Sequence, residues 1–272
     1  VLGGLGSGGG KWYGIAYARN TGKLYSAPLQ AASVLIVDPV QNTTDVAALG
    51  GLGSGGSKWF GISYAENTGK LYCAPGYAGS VLIVDPVQNT TDATVLGGLG
   101  PYAHKWIGIA YAPNTGKLYC APHHADSVLI VDPVQNTTDT TVLGGLGSGG
   151  GKWEGITYDE STGKLCCAPR NTASVLIVDP VQNTTDATTP SGLGSGSSLW
   201  LAVAYAENTG KLYCAPGTAA SVLIVDLILR VNEAVLAPFY LHSQIEQRLM
   251  STQESLQSTQ SALQSTQAAL QT

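Results

Sequence analysis

One period governs this chain, and a fixed period of this length leaves few folds available. The segment KWYGIAYARNTGKLY begins at Lys11, and near-copies begin at Lys58, Lys105 and Lys152. A fifth, LWLAVAYAENTGKLY, begins at Leu199 and keeps the Trp. Each step is 47 residues, so the copies run 1–47, 48–94, 95–141, 142–188 and 189–235 without insertion or deletion. The remaining segment, 236–272, is too short for a second domain of ordinary size.

One copy reads as four short strands. The first runs from Trp12 to Ala18 and ends at Arg19-Asn20-Thr21-Gly22, a hairpin turn in which Gly supplies the positive φ. The second, Lys23 to Ala27, is closed by Pro28. The third, Ser33 to Asp38, contains Val34-Leu35-Ile36-Val37, apolar on both faces as in a strand buried on both sides. Asp38-Pro39 ends it, because Pro cannot donate to a ladder. The fourth runs from about Thr43 to Leu49 and leads into a glycine loop. Four strands per repeat with no helix match the blade of a β-propeller. The expectation is an all-β, five-bladed β-propeller closed into a single ring, followed by a helical tail. Only Val1 and Leu2 precede the first glycine loop, so the N-terminus has no strand to lend to the last sheet. Either about Ile228 to Leu236 supplies the outer strand of blade five, or that blade has three strands.

The motifs GIAYAPNTGKLYCAP and SVLIVDPVQNTT resemble the YVTN and NHL classes of propeller repeat across all five copies. That resemblance implies blade architecture and says little about function. The period and the glycine pair ahead of each Trp are more loosely similar to the five-bladed tachylectin family, without a residue-by-residue sugar motif.

Composition narrows the partners. Charged residues make up 11% of the chain, against the usual quarter or so, and net charge is −5. Nine of the thirteen basic residues are lysines at two fixed repeat positions, which leaves no basic patch for nucleic acid. No apolar run reaches the length of a membrane span. The chain starts at Val1 without Met, as a mature chain or a fragment would.

Catalysis needs unlike groups at one place, whereas a near-perfect repeat supplies rings of like groups. Only blade four offers acids near its first strand, Glu154, Asp159 and Glu160. A glycan hydrolase built on Glu154 and Asp159 is the third reading, behind a plain surface role for these residues. No cofactor motif is present. His123-His124 with Asp126 has metal-ligand chemistry, but a polar loop tip is the better reading; His104 and His242 stand apart from it in sequence. Cys73, Cys120, Cys167 and Cys214 recur in phase, with Cys166 beside one of them. Neighbouring blades sit on the order of 10 Å apart, too far for disulfides, so these thiols are expected to be unpaired and to act as small hydrophobes. Unpaired thiols favour a reducing compartment. Asn42, Asn89, Asn136 and Asn183 each begin Asn-Thr-Thr, an N-glycosylation pattern that leaves secretion open, although turn chemistry explains the same residues.

Two ligand-binding candidates follow. Trp12, Trp59, Trp106, Trp153 and Trp200 form a ring, available to stack sugars in a lectin with one site per blade, or to wedge the blades apart; packing is favoured. The tips between the second and third strands differ in every copy, and they share a face with the glycine loops. Tyr77, His123, His124, Arg170 and Asn171 lie there, and function sits on such loops. The leading expectation is therefore a non-enzymatic binding or scaffolding module for a protein or small ligand, and the alternative is a lectin. In the tail, Leu249, Leu256, Leu263 and Leu270 recur every seven residues, and a helix is expected from Glu233 or Ala237 through Leu256, with self-association beyond.

Overall fold

The computed structural model of the chain describes residues 1–228 apart from Ser148, Thr189, Pro190 and Ser195. The chain separates into two compact units, Val1–Val225 and Asp226–Thr272. The expected tail helix lies outside the described residues. Among these, no helix is long and apolar enough to cross a membrane.

The first unit is an all-β propeller of five blades. Its innermost strands are Trp12–Ala18, Trp59–Ala65, Trp106–Ala112, Trp153–Asp159 and Trp200–Ala206. Blade one continues with Lys23–Pro28, Leu35–Asp38 and Thr43–Asp45, and blades two to four repeat this antiparallel meander. Among the described residues blade five has three strands, Trp200–Ala206, Lys211–Pro216 and Leu223–Val225. The alternative outer strand, from about Ile228 to Leu236, lies outside the described residues except for Ile228.

Turn residues set the register. Gly22, at φ 70°, closes the first hairpin so that Tyr17 pairs with Leu24 and Ala16 with Tyr25. Asp38 Oδ1 accepts from the backbone of Val40 and Gln41, and Asn42 takes φ 54° to start the outer strand. The same turn recurs at Asn89, Asn136 and Asn183. Each Asn-Thr-Thr is thus explained by turn geometry.

Blades pack through one repeated interface. Tyr25, Ala27, Val34, Ile36 and Leu49 of blade one bury against Trp59, Ile62, Leu71, Cys73, Leu82 and Val84 of blade two. Equivalent sets join blades two and three, and three and four. The Trp residues are the wedges: Trp59, Trp106, Trp153 and Trp200 are buried, Trp12 is half-buried, and each indole donates to the carbonyl of a Ser 21 residues on. The four in-phase cysteines are buried and unbridged, and burial pushes the thiols of Cys73, Cys120, Cys167 and Cys214 upward, the last to about 12. They fill space as small hydrophobes.

Lysines clamp the loops above these interfaces. Lys105 Nζ donates to the carbonyls of Gly76, Ala78 and Tyr102, at 3.0, 3.0 and 3.1 Å. Lys58 and Lys152 repeat the clamp. At the other end of the blades, Asn20, Asn67 and Asn114 each donate to the turn glycine of the next blade at 2.9 Å.

Among the described residues the ring does not close as expected. The inner strands stack in succession from blade one to blade five, and among the described residues the stack ends there. Ile15 and Tyr17 of blade one are 56% and 50% exposed, and Val222 and Ile224 of blade five are 52% and 55% exposed. Their counterparts Ile62 and Ile36 are core residues. The reason is legible at one position. Gly14, Gly61, Gly108 and Gly155 lie flush against the next inner strand; a Cβ on Gly61 would stand 2.7 Å from the Ile107 carbonyl oxygen. Blade five carries Ala202 there, and it is exposed. An interface of the internal kind has no room for that methyl.

Candidate functional site

A β-bulge interrupts the start of every inner strand; in blade one the register shifts between Trp12 and Ile15. Bulges re-aim side chains, and here they bring Tyr13, Phe60 and Glu154 together. The variable tips between the second and third strands end on the same face, as expected from the meander. The result is a closed circuit of unlike groups. Tyr13 packs edge-on to Phe60 at 5.2 Å, Phe60 lies 5.4 Å from His104, and His104 lies 5.8 Å from His123. His123 meets Arg170 through Nε2. Arg170 pairs with Glu154 at 3.3 Å, and Tyr13 donates back to Glu154 at 2.6 Å.

Of the residues singled out from sequence, Tyr77, His123, His124 and Arg170 come together. Tyr77 sits edge-on to His104 at 4.8 Å, and His124 sits 4.7 Å from His123 and 5.8 Å from His104. Asn171 instead braces the neighbouring loops, since its amide donates to Gly150 and its oxygen accepts from the Ser198 backbone. The five Trp residues lie in the blade interfaces, away from the circuit. Tyr13, Phe60, Glu154 and His104 were not singled out for this face. Aligning the first strands in phase gives the signal for Glu154, the one acid among Tyr13, Phe60, Ile107 and Leu201.

Electrostatics is dominated by burial. His123 is 4% exposed, and its pKa is pushed down to about 3 by burial first and then by Arg170, His124 and His104. It is neutral at pH 7. Glu154 is 6% exposed and keeps Arg170 and Tyr13 as partners. The Tyr13 phenol is raised by burial first and then by its hydrogen bond to Glu154. Nδ1 of both His104 and His123 is buried without a hydrogen-bond partner. Among the described residues, no three His, Cys, Asp or Glu side chains are placed to hold a metal ion.

A pH dependence follows from His123. An unfolded His titrates near 6.5, so between about pH 6.5 and 3 the unfolded chain binds the extra proton and the folded one does not. Stability is then full above pH 6.5 and falls on acidification by up to about 1.4 kcal/mol per pH unit. His104, also lowered by burial first, adds in the same sense. Denaturant unfolding at pH 7 and pH 5, above the carboxylate range, is expected to show a loss of about 2 kcal/mol. His123→Leu should remove most of that loss. An unchanged pH dependence in the variant would contradict a buried neutral His123.

The acids of blade four cannot act as a hydrolytic pair. Glu154 and Asp159 lie on one strand five residues apart, roughly 16 Å at the usual rise. Glycosidase carboxylates stand about 5–9.5 Å apart. Asp159 is fully buried, and its Oδ1 holds the turn by accepting from Ser161 and Thr162.

A pocket of 400 Å³ opens beside the circuit on blade three, lined by Leu99, Tyr102, Lys105, Trp106, His124 and Asp126 among others. A second, of 500 Å³, lies between the inner strands of blades two to five.

Fold and site together define a β-propeller carrying one asymmetric polar and aromatic face. No protein-family model and no curated protein matches the sequence. Solved structures match in fold. Hydrazine synthase of Kuenenia stuttgartiensis superposes with a TM-score of 0.59 at 14% identity, over 80% of this chain and 63% of that one. A chain of the nidogen/laminin complex gives 0.58 at 17% identity, over 80% and 76%. An auxiliary nutrient binding protein from Bacteroides ovatus gives 0.57 at 13% identity, over 80% and 55%. The chain therefore spans less than two thirds of the first and third of these. At such identities the likeness concerns the fold alone.

Proposed function

We propose that this chain is a non-enzymatic binding or scaffolding module, engaging a protein or small ligand on the face that carries Tyr77, His123, His124 and Arg170. The observation behind this is the circuit itself. Four of the five near-identical blades supply unlike groups to it, and the tips that differ between copies contribute His123 and Arg170. A rigid scaffold with varied loops is the arrangement binding proteins use. Structural neighbours named as a nutrient binding protein and as part of a nidogen/laminin complex are in keeping with it. Tyr77, 40% exposed at the edge of the circuit, is the anchor expected to dominate.

The test is affinity for a partner isolated by cross-linking. Tyr77→Ala should weaken it tenfold or more, while Val134→Ser, at an exposed turn at the other end of the blades, should leave it unchanged. The reverse result would move the binding surface to the opposite face. A lectin with five Trp-centred sites gains nothing from the geometry, because four of the five indoles are 3–6% exposed.

A further inference from the structure

The cavity of 500 Å³ between the inner strands lies at the end of the blades away from the circuit. It is bridged on the circuit side. Tyr13 and Glu154 hold the same repeat position in blades one and four, and the Tyr13 phenol donates across to the Glu154 carboxylate at 2.6 Å. Phe60 of blade two packs edge-on beside that phenol. At its other end the cavity reaches solvent, since its lining includes Glu66, Pro113, Glu160 and Glu207, which are exposed at the start of the hairpin turns.

The walls are aromatic. Tyr64, Tyr111, Tyr158 and Tyr205 recur in phase, are half-buried, and all line the cavity. Ile109, Ile156 and Val203 line it two residues nearer the bridged end. The mouth is acidic. Directly after the inner strands stand Arg19, Glu66, Pro113, Glu160 and Glu207. Arg19 pairs with Glu66 at 2.9 Å, whereas Glu160 and Glu207 have no cationic partner among the described residues. Carboxylate charge reaches the wall: the Tyr158 phenol is raised by burial first, then by Glu160 and by the fully buried Asp159.

We infer that this cavity binds an organic cation with an alkylated, weakly hydrated head, a quaternary ammonium, at one site per chain. The site is separate from the face described under the proposed function and lies at the opposite end of the blades. Two features select the ligand together. Aromatic side chains attract a cation through the negative faces of their rings, and the gain is largest for a cation that gives up little hydration. Acids around the mouth of a cleft focus a negative field into it. That field repels carboxylates and phosphates, and it gives a neutral molecule of the same shape nothing. Carboxylates alone would hold small inorganic ions equally well; the tyrosines, with the aliphatic side chains behind them, favour the alkylated ion. A volume of 500 Å³ is within the range of small-ligand sites.

The experiment is calorimetry on the full chain at fixed ionic strength, with choline and with its neutral analogue carrying carbon in place of nitrogen. A third titration replaces sodium by potassium as the competing ion. Expected are one choline site per chain, binding of the neutral analogue weaker by about tenfold or more, and no difference between the two salts. Glu160→Gln combined with Glu207→Gln changes two exposed side chains and should weaken choline about fivefold or more. Tyr158→Leu should lose affinity and Tyr158→Phe should keep it, because the ring is the attracting group. If Tyr158→Leu fails to fold, the double Gln variant decides. Absence of choline binding, equal affinity for the neutral analogue, displacement by potassium, or full affinity in the double Gln variant would each overturn the inference.

Discussion

Gly61→Ala is expected to lower the melting temperature of this protein by about 6–12 °C, whereas Ala202→Gly should change it little. The two substitutions concern the same repeat position. At Gly61 a Cβ would meet the Ile107 carbonyl oxygen at 2.7 Å and the Ile109 nitrogen at 3.1 Å, both of them backbone atoms of the next blade. Backbone cannot swing aside as a long side chain can, so the stacked strands must separate. Forcing an extra methyl into a packed interface costs about 1–3 kcal/mol, and here the upper end applies because two main chains must move. For a domain of this size each kcal/mol is about 2–4 °C. Ala202 occupies the equivalent place on an exposed face, so removing its methyl leaves only the backbone-entropy cost of a strand glycine, about 0.5–1 kcal/mol. Thermal unfolding of the two variants side by side is the measurement. Equal behaviour would mean that the close approach of inner strands is not what this position is selected for.

That contrast also shows what the sequence could reveal. The 47-residue period, the Asn-Thr-Gly turns and the paired apolar strands fix the blade almost residue by residue, because each signal is local and is repeated in phase. The inner strand was expected from Trp12 to Ala18 and found there. Closure was harder to read. It depends on whether the outermost faces of blades one and five fit each other, and the relevant change, glycine to Ala202, looks conservative until the distance to the neighbouring strand is known. The Trp residues could be assigned to packing because each leads into a buried strand, and the structure adds the reason they stay there: an indole hydrogen bond to a fixed Ser carbonyl.

The candidate site was half legible. The variable tips at 76–79, 123–126 and 170–173 announce themselves by breaking the repeat, and they do share a face with the glycine loops. Their partners were hidden for two reasons. Glu154 sits on an inner strand, where substitution reads as drift, and only the bulge turns it toward Arg170. Tyr102 and His104 sit in a loop whose glycine-rich relatives draw attention to the backbone, although Pro-Tyr-Ala-His is as large a break in pattern as His-His-Ala-Asp. His104 takes φ 48°, as Gly10, Ser57, Gly151 and Ser198 take positive φ at the same position, so the repeat imposes the left-handed conformation there whatever the side chain.

The largest single-residue effect on this face is expected from Arg170→Met. Glu154 is 6% exposed, and it is satisfied by the Arg170 guanidinium at 3.3 Å and by the Tyr13 hydroxyl at 2.6 Å. Removing the guanidinium leaves a buried carboxylate with one hydrogen bond, and breaking such a pair from one side costs about 3–5 kcal/mol. The Arg170 side chain is 29% exposed, so water reaches part of the vacated space and the lower figure, about 3 kcal/mol, is expected. The loss also spreads: Arg170 donates to Ser198 Oγ through Nε and Nη2 and meets His123 through Nη1, so the tips of blades three and four lose their tie to the loop ahead of blade five. Neutralising the orphan should restore most of the stability. Glu154→Gln in the Arg170→Met background keeps the size of the side chain and an acceptor for Tyr13 while removing the charge. A double-mutant cycle by denaturant unfolding is then expected to show coupling of about 2 kcal/mol between the two positions, toward the upper part of the range for groups in direct contact. Additive effects would mean that Glu154 is stabilised by something other than Arg170, and the circuit would lose its ion pair within blade four.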